Sequence, residues 1–156
     1  MDKSLFNPTL KTNGVSETKS YDISKLFYVA FFGGVIPITV LGSRNARWLG
    51  VKSQKINLFY IIGIFILVSK AIFAALILSK TIHISSRDMR LGIRIADVVF
   101  YLFMYFTMKP KFYQHILNGG IVTPLLKDAL KWIAIGVAIE IMLLIGGVFV
   151  AYALQQ

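Results

Sequence analysis

Four long apolar runs, separated by segments that each carry basic residues, constrain this chain more than any single motif does. They extend from about Leu26 to Gly42, Leu58 to Ser79, Leu91 to Met108 and Trp132 to Leu154. As helices rising about 1.5 Å per residue, the second and fourth exceed the roughly 30 Å of hydrocarbon in a bilayer, and the first and third fall near or slightly short of it. Hydrophobic residues make up 56% of the 156 positions and charged residues 15%, with mean hydropathy +0.70. A soluble domain of this size does not leave so apolar a surface in water. The predicted class is all-α, a polytopic integral membrane protein. Four transmembrane helices (residues 26–42, 58–79, 91–108 and 132–154) form a compact bundle, residues 26–156, behind a flexible polar tail of residues 1–25.

The first run is interrupted. In FFGGVIPITVLG, Gly33, Gly34 and Pro37 stand where a continuous span would be densest. Glycine frees the backbone and proline removes a hydrogen-bond donor. Two conformations satisfy this pattern: a short, bent helix that crosses the membrane, or a hairpin that turns back at Gly33-Gly34. Length favours the crossing helix, because each arm of a hairpin drawn from this run has only about eight residues. Charge favours the other. Lys and Arg number four in the tail, four after the first run, four after the second when Arg94 at the start of the third run is counted, and four after the third. Four ordinary spans therefore tie the positive-inside comparison at eight to eight, whereas a hairpin gives 12 against four. The expectation adopted is the short, bent helix.

Smaller signals punctuate the chain. Asp22 or Ser24 suits a cap for the first helix, Ser85-Ser86-Arg87-Asp88 suits the start of the third, and Thr123-Pro124 suits the N-cap and first position of the last. Phe112 to Leu117 is expected to lie flat on the membrane before the break at Asn118-Gly119-Gly120. The run of retained spans, beginning after a polar tail with no small-residue cleavage pattern, points away from a cleaved leader.

Ionisable residues inside the spans are costly and are the default functional candidates. They are Lys70, Asp97 and Glu140. On antiparallel neighbouring helices Lys70 and Asp97 fall at nearly the same depth, which predicts an ion pair. Arg94, one turn before Asp97, is its rival partner. Asp97 also heads a stripe with Tyr101 and Tyr105 at i+4 steps. Glu140 is expected some ångströms away in depth, within reach of the long Lys70 stem. It shares a face of small residues with Gly136, Gly147 and Ala151, and Gly63, Lys70 and Ala74 form a comparable face on the second helix. Such faces let helix backbones approach closely.

No cysteine is present, which excludes disulfides, thiolate metal sites and a cysteine nucleophile. His83 and His115 have no companion ligand at a metal-binding spacing, and no recognised catalytic or phosphate-binding motif occurs, so no metal, cofactor or catalytic residue is expected. Net charge +10 is dispersed through every polar segment, which fits anionic lipid headgroups and not nucleic acid. Lysine outnumbers arginine 12 to five, as in proteins of AT-rich bacteria, and the expected location is a bacterial cytoplasmic membrane. The leading functional expectation is a non-catalytic accessory, interaction or self-protection (immunity) protein, with a homo-oligomer or another membrane protein as partner. The alternative is a small oligomeric channel or transporter using Glu140 and the Lys70–Asp97 pair.

Overall fold

The break at Gly33-Gly34 turns the chain back on itself. In the computed structural model, which describes residues 19–78 and 85–153, helix α1 (Leu26–Gly33) stops at Gly34 and α2 (Val35–Trp48) starts at once in a new direction. Gly34 has φ +77° and ψ −163°, a combination that essentially only glycine adopts. Its N–H still donates to Ala30 O at 3.1 Å, closing α1, while Pro37 needs no donor partner in the first turn of α2.

That the two arms return to one end is fixed by Asn45. Its Oδ1 accepts from the Tyr21 N–H at 2.7 Å and its Nδ2 donates to Tyr21 O at 3.2 Å, so the start of the first segment lies against the end of α2. The expected bent span over residues 26–42 is therefore corrected to a helical hairpin. Length misled because α2 does not end with the apolar run at Gly42. It continues through SRNARW to Trp48 and is 14 residues long, against eight for α1.

Three longer helices enclose the hairpin: α3 (Ser53–Leu78), α4 (Ser86–Leu117) and α5 (Leu126–Ala153). Ser85 caps α4 as expected, accepting from the Arg87 N–H at 3.3 Å. No side-chain bond caps α1, whose N-cap is Lys25; Asp22 Oδ1 instead accepts from the Ser24 N–H one turn earlier. Phe112 to Leu117 does not form a separate surface segment, because α4 runs through Pro110 for 32 residues before Asn118 and Gly119 end it. α5 begins two residues after Pro124.

Part of the stretch expected to be unstructured is ordered. Strand β1 (Lys19–Tyr21) pairs in parallel with β2 (Ile121–Thr123), with Ser20 opposite Val122. Tyr21 is buried, its ring 4.9 Å from that of Trp48, and its hydroxyl donates to Asp128 at the start of α5. Burial, and then this hydrogen bond, push the Tyr21 hydroxyl well above the ordinary tyrosine range. The Arg44 guanidinium covers Trp48 at 4.6 Å and pairs with Asp128 at 3.4 Å. These contacts gather β1, β2, the end of α2 and the start of α5 at one end of the bundle, called here the sheet end.

The core fills only the half of the bundle that the hairpin reaches. Leu26, Val29, Ile38, Leu41, Phe59 and Met104 are buried there. Going toward the far end, Gly63 of α3, Asp97 of α4 and Gly136 of α5 are the outermost buried positions among the described residues. Beyond them, Ile64, Phe65, Val68, Ile72, Phe73, Ile95, Ile141 and Met142 present their apolar side chains outward. Two helices, Ser53–Ala74 of α3 at mean hydropathy 2.2 and Arg87–Leu117 of α4 at 1.5, are long and apolar enough to cross a membrane. Of the most apolar 18 residues in each, only 17% and 28% are buried, unlike the core helix of a soluble protein.

Candidate functional site: a charged triad at the hairpin tip

Helix length decides where the hairpin ends. The 14 residues of α2 extend about 21 Å, roughly half of the 39 Å or so of α3, so Gly34 at its start is carried into the middle of the bundle and no farther. There it meets all three ionisable residues singled out by the sequence. A β-carbon on Gly34 would lie 3.2 Å from Glu140 Oε1, 3.5 Å from Asp97 Oδ2 and 3.7 Å from Lys70 Nζ.

Lys70 Nζ donates to Asp97 Oδ2 at 2.8 Å, as the matched depths on α3 and α4 predict. The same ammonium lies 3.8 Å from Glu140 Oε1, an ionic contact beyond hydrogen-bond distance. Glu140 is thus drawn into the cluster by the length of the lysine stem, although its own helix is the third to contribute. The side chains of Lys70 and Asp97 are 15% and 3% exposed, so the pair is withdrawn from solvent, whereas Glu140 is 39% exposed. Asp97 Oδ1 and Glu140 Oε1 are buried atoms without a hydrogen-bond partner. Two carboxylates face one ammonium, and the Arg94 guanidinium acts on Asp97 from farther away.

Arg94 makes no hydrogen bond or close ion pair with Asp97 and acts on it only from a distance. It donates to Phe31 O near the end of α1 and lies over the Phe31 ring at 5.1 Å. A carbonyl freed by the helix break attracts the guanidinium, since the last carbonyls of a helix lack intrahelical donors. Comparison with known proteins finds no matching family model, no similar curated protein and no similar solved structure. The chemistry of the triad therefore has to be read from its own geometry.

The backbone contributes a field as well as a fold. The α2 N-terminus starts at the tip, so the partial positive charge of its first turn lies at the depth of the carboxylates. The α1 C-terminus ends there too and brings carbonyls. Opposed half-helix ends of this kind offer both signs of partial charge to an ion at the same depth.

Tyr101 and Tyr105 play a packing role. Tyr101 is buried with its ring 5.7 Å from Phe27 and 5.8 Å from Tyr105, and Lys109 Nζ sits 5.9 Å from the Tyr105 ring. The small residues do their work inside the chain. A β-carbon on Gly136 would approach Pro37 to 2.9 Å, one on Gly33 would approach Ile133 to 2.7 Å, and one on Gly63 would meet Thr39 at 2.4 Å. The small faces of α3 and α5 thus receive the hairpin. Gly147 belongs to α5, but its surroundings, like His83, lie outside the described residues. His115 is buried with Nε2 3.3 Å from Ile121 O, beside the chain reversal into β2. Among the described residues no group of three or more metal-ligating side chains occurs.

One participant was missed by sequence reasoning. Asn45 clamps the hairpin through its two bonds to Tyr21, and nothing in its neighbourhood distinguishes it from the interfacial arginines beside it. Its signal was indirect: an amide inside a stretch whose charge balance already favoured a fold-back.

Proposed function

We propose that the chain is a multi-pass membrane protein in which α3, α4 and α5 cross the bilayer and α1–α2 is a re-entrant pair, and that the Lys70–Asp97–Glu140 triad binds a proton or monovalent cation for transport. The observation that carries this reading is the pair of buried carboxylate oxygens without partners, opposite a single ammonium at a helix break. A fully satisfied structural network would leave neither oxygen unpartnered. The accessory-protein reading drew on small-residue seams, compact size and the lack of a catalytic motif; of the seam residues, Gly63 and Gly136 pack against the hairpin within the chain.

This topology also resolves the charge tie. With tail, α2–α3 connection and α4–α5 connection assigned to the sheet end, 12 basic residues stand on that side against Lys80, Arg87 and Arg90 at the far end, Arg94 lying at the depth of the triad. The sheet end then faces the cytoplasm, and a bacterial cytoplasmic membrane is the location that the charge bias and composition support. Because the chain has no cysteine, single-cysteine labelling tests this directly. Ser4→Cys and Arg47→Cys should be modified from one side of the membrane and Arg87→Cys from the other. Modification of Ser4→Cys and Arg47→Cys from opposite sides would restore a crossing first helix and remove the re-entrant pair.

For transport, the purified protein in liposomes should carry protons, sodium or potassium under an imposed potential. Glu140→Gln should lower the carried flux by at least about tenfold, the size expected when a site loses its ionic partner worth over one kcal/mol. Identical rates in wild-type, Glu140→Gln and empty liposomes would sink the transport reading.

A further inference from the structure

The sheet end carries a guanidinium whose charge the described residues leave unanswered. Arg44 in α2 has its charge met by Asp128 at 3.4 Å, and Lys25 Nζ lies 4.0 Å from Asp22 Oδ2. Arg47, three residues after Arg44, turns to α3 instead. Its Nη2 donates to the Tyr60 hydroxyl at 2.6 Å, and its guanidinium lies 5.9 Å from the centre of that ring. Among the described residues Arg47 makes no ion pair and no other side-chain hydrogen bond, and its side chain is exposed. The Tyr60 hydroxyl accepts from Arg47 and keeps its own proton, which no described residue receives. Two donors thus stand side by side, one of them charged, with no described anion to receive them. Such a pair matches a phosphate, which a guanidinium can hold through two parallel N–H bonds.

Depth and surroundings name the source of the phosphate. Tyr60 is two residues into the apolar run that begins at Leu58 and seven from the start of α3, so the pair lies where hydrocarbon gives way to headgroups. On the same turn begins a ridge of exposed apolar side chains, Leu58, Ile61, Phe65 and Val68, spaced by three, four and three. This spacing keeps them along one face of α3 for about 15 Å, the hydrocarbon depth of one leaflet. We infer that Arg47 and Tyr60 bind the phosphate of an anionic phospholipid in the sheet-end leaflet, with one acyl chain laid along this ridge. Charge selects the class of lipid. A headgroup with its own cation, as in phosphatidylcholine, leaves the charge of Arg47 uncompensated, whereas phosphatidylglycerol neutralises it. The ridge selects a lipid over a soluble phosphate. This site is separate from the triad and does not depend on the transport reading.

The test uses the purified full chain in a neutral detergent, titrated with dioleoylphosphatidylglycerol or dioleoylphosphatidylcholine, with bound lipid counted by native mass spectrometry. One phosphatidylglycerol should be held about tenfold more tightly than phosphatidylcholine, the size expected of a charge-assisted contact. Arg47→Gln should abolish this preference. Tyr60→Phe, which retains the ring and the net charge, should weaken phosphatidylglycerol binding about threefold, as for one lost hydrogen bond. Lys52→Gln removes a charge from an exposed position at the same end and should weaken binding less than Arg47→Gln does. Glycerophosphoglycerol, the soluble headgroup without acyl chains, should not displace the lipid when present in large excess. Equal retention of the two lipids, equal losses from Lys52→Gln and Arg47→Gln, indifference to Tyr60→Phe, or displacement by the soluble headgroup would each overturn the proposal. Tyr60→Phe changes neither charge nor ring packing, so it stays informative even where Arg47→Gln does not fold.

Discussion

Lys70→Met is expected to destabilise the protein by about 3–5 kcal/mol, read as a large drop in the thermal or denaturant midpoint of the purified protein in detergent. The magnitude comes from what the substitution leaves behind. Asp97 is 3% exposed and has its hydrogen bond from Lys70 alone among the described side chains, so without the ammonium a carboxylate stays buried beside Glu140. Methionine has nearly the volume of the lysine stem, which keeps cavity effects small. The double substitution Lys70→Met/Asp97→Asn removes both charges and should recover most of the loss. It should not recover flux, because the cation site would then lack one of its two carboxylates. Retention of the wild-type midpoint by Lys70→Met would mean that water reaches Asp97 freely and that the pair is not the buried contact described.

Gly34→Val is expected to have the second large effect, and it acts through two separate costs. At φ +77° and ψ −163° a non-glycine residue is strained by about 1–3 kcal/mol. The new β-carbon would also press on Glu140 Oε1 at 3.2 Å, spreading the triad. Loss of flux should therefore accompany a fall in stability. Gly50→Val separates the two contributions. Gly50 also has positive φ, +65°, but a β-carbon there meets nothing within 4 Å. This control should lose about 1–2 kcal/mol and keep its flux. Equal effects of the two substitutions on flux would remove Gly34 from the site.

Both predictions turn on a feature that the two smaller half-helices create together. A hairpin that stops halfway into a bundle brings helix ends, with their unpaired N–H and C=O groups, to a depth where side chains otherwise supply all the polarity. Here it also limits the extent of the core, since among the described residues burial stops at Gly63, Asp97 and Gly136 where the hairpin stops. The depth of the site is thus set by the two half-helices, the eight residues of Leu26–Gly33 and the 14 of Val35–Trp48.

Much of this was legible without coordinates wherever the controlling interaction is local or repeats with the helix. The helical class follows from apolar runs of membrane length, the start of α4 from Ser85, and the Lys70–Asp97 pair from depth along two antiparallel helices. The choice between a bent span and a hairpin was not legible, because both use the same glycines and the same proline. It depends on one pair of torsion angles at Gly34 and on bonds between Asn45 and Tyr21, 24 positions apart. The sequence by itself determined which residues are too polar to sit in an apolar bundle without partners, and which helices are long enough to require one. Only the tertiary structure decided that these residues meet at a single point, that Arg94 turns to Phe31 while Lys70 serves both carboxylates, and that among the described residues the buried core lies at the hairpin's end of the bundle. The physical reason is that periodicity fixes which side of a helix a residue occupies, whereas the direction taken after a glycine break is set by long-range hydrogen bonds and packing.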